Sequence, residues 1–172
     1  MGIRPRPDDK KAIEVILYVT SNRRSHMYRV LKLLYLADKI HLGRYGRFIY
    51  GDYYRAMKSG PVPSRAFDFV KFMRGDGARS MPIPVHAAFE VNGRHIVPVR
   101  PADTELLSQS EIECLDEAVR QYGDLTEREL YDRSKDQAWW NTPENKPIST
   151  VEIARTLPNG EALVDYLLSS ER

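Results

Sequence analysis

Apolar positions recur at helical spacing along most of the chain, and one stretch changes to the alternation of a β-hairpin. Ile13, Ile16, Leu17 and Thr20 share a helix face behind Asp8 or Asp9, either of which can cap the exposed N–H groups of a first helix. Asn22-Arg23-Arg24-Ser25 reads as a break, with Ser25 the cap of a second helix over about Met27–Leu42. Leu33, Leu34, Leu36, Ala37 and Ile40 leave little of that helix polar, which predicts burial on most sides. Gly43 and Gly46 break it. Residues 47–58 carry strand-like Phe48, Tyr50, Tyr53 and Tyr54 but are interrupted by Gly51-Asp52, and read as a short extended segment plus turn. Gly60-Pro61-Val62-Pro63 forms a rigid corner, since the prolines fix φ. Ser64 opens a helix with Phe67, Val70 and Met73 on one face and Phe69 and Phe72 alongside, ending at Gly75-Asp76-Gly77.

Ala88–Val91 and His95–Val99 then flank Asn92-Gly93, a strong hairpin signal because both turn residues must take positive φ. A lone hairpin is marginal, so its inner face should lie on helices. Capping boxes at Ser108–Glu111, Thr126–Glu129 and Ser149–Glu152 start three further helices, and Gly123 stops the first of them. Asp136–Asn141, with both tryptophans, marks a helix giving way to a loop, and Asn159 starts a last amphipathic stretch with Leu163, Tyr166 and Leu167. The expected fold is mainly α (α+β): a compact helical domain with a small β-hairpin packed on it. No linker or internal repeat divides residues 1–172, so a single domain is expected.

Composition narrows the classes. The 172 residues are 42% hydrophobic and 29% charged, ordinary for a globular protein with a real core. Met1–Pro7 should attach loosely, and MGIRPRPDDKK has no apolar signal core. No apolar run is long enough to span a membrane, and a lone Cys114 allows no internal disulfide, so a cytoplasmic location is expected. The net charge of +2 conceals an asymmetry. Residues 1–80 hold 17 Lys and Arg against 7 Asp and Glu, and residues 81–172 hold 9 against 17. Either the halves pack with complementary charge or they present two surfaces able to steer a charged partner, and the first reading is favoured.

Candidate chemistry is sparse. Asp38 and His41 share a helix face, where a carboxylate orienting an imidazole could serve catalysis in a small hydrolase. The competing reading is a structural tie to the Gly43–Tyr54 loop, and it is preferred because no nucleophile motif or third metal ligand accompanies the pair. No phosphate-binding glycine loop occurs, and neither a cofactor nor a metal is expected. Arg44, Arg47, Arg55, Lys58 and Arg65 interleave with Tyr45, Tyr50, Tyr53 and Tyr54. That mixture suits nucleic acid, through phosphate contacts and stacking, or a protein interface, where Tyr and Arg are common anchors. No nucleic-acid recognition signature accompanies it, which favours a protein partner.

The run Lys32-Leu33-Leu34-Tyr35-Leu36-Ala37-Asp38, then His41, Tyr45-Gly46, Gly51-Asp52, Ala56 and Gly60-Pro61-Val62, resembles the Panacea domain, the antitoxin SocA-like or phage-associated GepA-like family. The similarity runs from about Arg29 to Trp139. It implies a core over about residues 27–140, preceded by a helix at 8–24 and followed by a helical extension at 141–172. It implies a helical fold with a small β element and a non-enzymatic antitoxin that neutralises a cognate toxin, encoded by the adjacent gene, by direct contact. One lineage delivers its toxin to an ATP-dependent protease, which would then be a second partner. The flanks, Met1–Arg24 and Asn141–Arg172, would help choose the toxin. The expected partner surface is Arg47, Tyr50, Tyr53, Tyr54, Arg55 and Lys58, with Trp139 and Trp140 second. Tyr35, Asp38, His41, Asp52, Gly60, Pro61 and Val62 form the family motif, structural or functional. Related domains carry a histidine where this chain has Lys135, and a binding role does not need it. The alternative is a nucleic-acid-binding regulator using the basic N-terminal half.

Overall fold

The computed structural model describes residues 6–21 and 23–171. Eight α-helices and six short strands occur among them: α1 (Asp9–Thr20), β1 (Ser25–His26), α2 (Met27–Tyr45), β2 (Tyr54–Met57), β3 (Gly60–Pro63), α3 (Ser64–Arg74), β4 (Phe89–Asn92), β5 (His95–Pro98), α4 (Gln109–Tyr122), α5 (Glu127–Ser134), α6 (Gln137–Trp140), β6 (Pro147–Ile148), α7 (Thr150–Arg155) and α8 (Gly160–Ser170). The architecture is the mainly α, α+β class expected.

Helix α2 is the axis. Tyr35, Leu31, Leu34 and Ala37 are wholly buried, and α1, α3, α4, α5, α7 and β3 all pack against it. It runs one turn further than its glycines suggested. Gly43 stays helical, and the stop is Gly46, whose φ of +72° ends the helix in a left-handed cap. Its N-cap is His26, whose ring accepts from the Tyr28 N–H; Ser25 is instead paired in β1. Asp8 caps α1, while Asp9 turns aside to hold Arg65. Of the looser features expected, Met1–Pro5 and Asn22 lie outside the described residues. Pro7 is fixed from both sides, because Asp8 N–H donates to the Tyr50 carbonyl and the Arg6 carbonyl packs on Gly51.

The hairpin forms with its turn one residue later than expected: Asn92 pairs with His95 in β4, the turn residues are Gly93 and Arg94, and of the expected pair Gly93 alone takes a positive φ (+62°); a third strand joins it, in the order β1-β5-β4. A second sheet, β3-β2-β6, lies where a turn and a corner were expected. Strand β3 tolerates Pro61 and Pro63 because it is an edge, bonded on one side only. Strand β6 comes from far along the chain and pairs Tyr54 with Ile148 and Arg55 with Pro147. Three smaller corrections concern faces and caps. Helix α3 buries Ala66, Phe69 and Val70, with Phe67 and Met73 only half-buried. Helix α8 buries Leu163 and Val164 and leaves Tyr166 exposed, its ring lying over Gly46. Ser149 caps α7 through the Val151 N–H, but Glu152 bonds Asn141 and Arg155 and completes no capping box.

The charge asymmetry is partly discharged within the molecule. Lys11 and Arg47 meet Glu111, Arg44 meets Glu117, and Lys39 meets Asp136, each a base of the first half on an acid of the second. No described helix is long and apolar enough to cross a membrane.

Candidate functional site

The motif residues converge on a buried polar network. Asp38, on α2, is 1% exposed and accepts from the Ile49 N–H at 2.7 Å and the Tyr54 hydroxyl at 2.6 Å. Burial raises its pKa to about 7, against the pull of those two donors. Asp52 accepts from four donors: the N–H groups of Tyr53 (2.8 Å), Arg65 (2.9 Å) and Ala66 (3.0 Å), and the Tyr50 hydroxyl (2.9 Å). Arg65 and Ala66 open α3, and Pro63 at its N-cap contributes no side-chain bond. Asp52 is therefore a helix cap supplied from a distant loop, favoured there by the exposed N–H groups. Burial raises its pKa as well.

Asp38 and His41 share a face but do not bond each other. His41 Nδ1 lies 2.8 Å from the Arg47 carbonyl, so it carries the proton, and Nε2, 3.2 Å from the Ser110 hydroxyl, accepts. Burial lowers the His41 pKa and keeps the ring neutral. Each residue ties α2 to the 47–54 segment, as the structural reading expected. Tyr35 donates to Asp136 at 2.6 Å. Among the described residues no three His, Cys, Asp or Glu side chains cluster to hold a metal ion.

The other end of α2 holds an unusual cation. Lys32 is 2% exposed and donates to the Pro61 carbonyl at 2.9 Å, with no carboxylate bonded to it among the described residues. Burial, and then the nearby charge of Lys135, lower its pKa to about 7. Gly60 takes φ +100° beside it, and a Cβ there would sit 3.0 Å from Lys32 Nζ and 3.1 Å from Ser134 Oγ. Val62 is buried in the same corner. Gly60, Pro61 and Val62 thus seat β3 on α2.

The structure splits the candidate partner surface. Tyr50 (3% exposed) and Tyr54 (0%) are core residues whose hydroxyls serve Asp52 and Asp38, so neither can reach a partner, which corrects their assignment. Arg47 is exposed but turned to Glu111 on α4 and to the Phe48 carbonyl. The other five gather. Arg55 stacks on Tyr53 and donates to the Asn145 carbonyl at 3.0 Å. Lys58, Trp139 and Trp140 line one hollow of about 250 Å³ with Ala56, Thr142 and Glu144. Trp139 Nε1 donates to the Met57 carbonyl at 2.8 Å and orients that ring, while Trp140 is 68% exposed. Lys135 holds its ammonium 4.3 Å from the Tyr131 ring centre and 4.7 Å from that of Trp139.

Sequence reasoning missed Thr142 and Glu144, whose place depends on the remote pairing of residues 145–148 with β2. It also missed Lys32, although a lysine inside the run Leu31-Lys32-Leu33-Leu34 has apolar neighbours on every side and carried a legible signal.

The motif carboxylates are thus spent on the fold, while Trp140 stands open to solvent beside the hollow. Residues 30–141 match the family described as antitoxin SocA-like, Panacea domain, and the chain belongs to that family. Membership gives it a toxin–antitoxin-related role, in a family that is generally non-enzymatic. No curated protein and no solved structure matches the chain.

Proposed function

We propose that this protein is a cytoplasmic antitoxin that neutralises a cognate toxin, the product of a neighbouring gene, by direct protein–protein binding. The observation that carries the reading is Trp140, a large aromatic held 68% exposed beside an open hollow in a member of an antitoxin family. Exposed tryptophan is costly to leave in water and is the side chain most enriched at binding hot spots. The contact surface is Tyr53, Arg55, Lys58, Trp139 and Trp140. The chain acts as one domain, with α1 and the extension that follows residue 141 attached to the core, and the extension supplying part of the hollow. Stoichiometric occlusion needs such a preorganised surface and no chemistry.

Co-expression with the neighbouring gene product tests it. Growth rescue with a co-purifying complex is expected, and Trp140→Ala should lose both. Toxin that disappears on rescue and returns in a host lacking the ATP-dependent protease would add delivery to that protease. Failure of the wild-type chain to bind or rescue from any neighbouring toxic product would overturn the proposal. Nucleic-acid binding is the weaker reading: no recognition signature accompanies the basic half, and four of its 17 Lys and Arg are paired with acids of the second half.

A further inference from the structure

The chemistry of the tryptophan corner specifies what part of a partner it takes. A volume of about 250 Å³ falls below the roughly 300–1,000 Å³ typical of small-molecule sites, and suits one bulky side chain. Its walls are apolar where Ala56 and the two indoles stand. Three cations stand at or beside it: Lys58 in the wall, Lys135 on the face of Trp139, and Arg55 bonded to the carbonyl of Asn145, the residue after Glu144. None of the three forms an ion pair among the described residues. Glu144 is the single acid lining the hollow, and Asp136 close by is already held by Lys39 and Tyr35.

We propose that this hollow receives an acidic segment of the partner protein, one apolar side chain packing against the Trp139–Trp140 pair, whose rings meet edge to face 4.7 Å apart, while its carboxylates meet Arg55, Lys58 and Lys135. This rests on the antitoxin reading and deepens it. The cations supply charge complementarity and the indoles supply the buried anchor, the usual division between rim and centre of an interface. The hollow spans the boundary of the family match, since Thr142 and Glu144 lie just beyond residue 141.

The chain has two tryptophans and both stand at this site, so intrinsic fluorescence reads it alone. The probe is a synthetic heptapeptide of Glu and Asp with a central Leu, compared with the same peptide carrying central Ala, a Lys/Arg counterpart with central Leu, and a single-stranded DNA oligonucleotide. The acidic Leu peptide should give a saturable emission change that weakens with salt. The Ala peptide should bind roughly tenfold more weakly, and Trp140→Ala should weaken the Leu peptide roughly thirtyfold, read through Trp139. Arg55→Glu with Lys58→Glu, both exposed, should abolish binding without altering the fold. A basic peptide or the oligonucleotide binding as well as the acidic peptide, or no saturable change up to millimolar peptide, would overturn the proposal. A toxin complex unaffected by Arg55→Glu with Lys58→Glu would overturn it and leave the antitoxin reading standing. Peptide binding without any toxin neutralisation would do the reverse.

Discussion

Two aromatic-rich regions lie at either end of one short sheet, and the same residue types do opposite things in them. At Tyr50 and Tyr54 the hydroxyls are buried on Asp52 and Asp38, and the rings belong to the core. At Trp139 and Trp140 one indole is tethered by a single bond to Met57 and the other stands in solvent. The difference lies in the acceptors. The first region has carboxylates on α2 and before β2 that collect backbone donors from three segments, so its aromatics are drawn inward as further donors. In the second, the Met57 carbonyl holds Trp139, the nearby Asp136 is taken by Lys39 and Tyr35, and Trp140 is left 68% exposed. Buried polar groups with every donor satisfied specify a fold; an unsatisfied aromatic surface is left for a partner.

The comparison can be broken from the buried side. Asp52→Ala strands four donors, two of them at the start of α3, and should cost about 4 kcal/mol of stability in urea denaturation. Asp38→Ala strands two, the Ile49 N–H and the Tyr54 hydroxyl, and should cost about 3 kcal/mol. Gly60→Ala places a Cβ against Lys32 and Ser134 at a φ that L-residues avoid, for about 2 kcal/mol. A loss under ~0.5 kcal/mol for any of the three would remove that residue from the fold-specifying set.

Lys32 gives a smaller effect with a sign that depends on pH. Its amine titrates near 10.5 in the unfolded chain and about 7 in the fold, so between these values the unfolded chain holds the extra proton and stability rises with pH. Asp38 acts the other way. Between 3.8 and about 7 the folded chain holds the proton, and stability falls as pH rises. Together they place a minimum of stability near neutral pH. Lys32→Met should stabilise by about 1–2 kcal/mol near neutral pH and erase the rise above it, leaving the Asp38 limb. Urea midpoints at about pH 5, 7 and 9 for both proteins check this, and an undiminished rise in the variant would contradict it.

Much of the fold was legible because its signals are local. The buried face of α1, the β4–β5 hairpin and the boxes at Ser108 and Thr126 follow from neighbouring residues, and all form, the hairpin with its turn shifted to Gly93-Arg94. The second sheet was not legible, because β6 joins β2 from about ninety residues away and β3 hides behind prolines that read as a corner. The same non-locality misassigned Tyr50 and Tyr54. Their composition matches an interface, and only the positions of Asp38 and Asp52 in space turn them inward. Trp139, Trp140, Arg55 and Lys58 were legible as residue types, but their meeting with Thr142 and Glu144 depends on the remote strand pairing.

The central claim is that the motif network holds the fold while the tryptophan corner binds the partner. The most direct test takes one substitution, Trp140→Ala, and measures its urea midpoint and its co-purification with the neighbouring toxin side by side. A midpoint within ~0.5 kcal/mol of the parent, with toxin capture lost, is the predicted result. Toxin capture unchanged at an unchanged midpoint would contradict the account and move the binding surface elsewhere on the molecule.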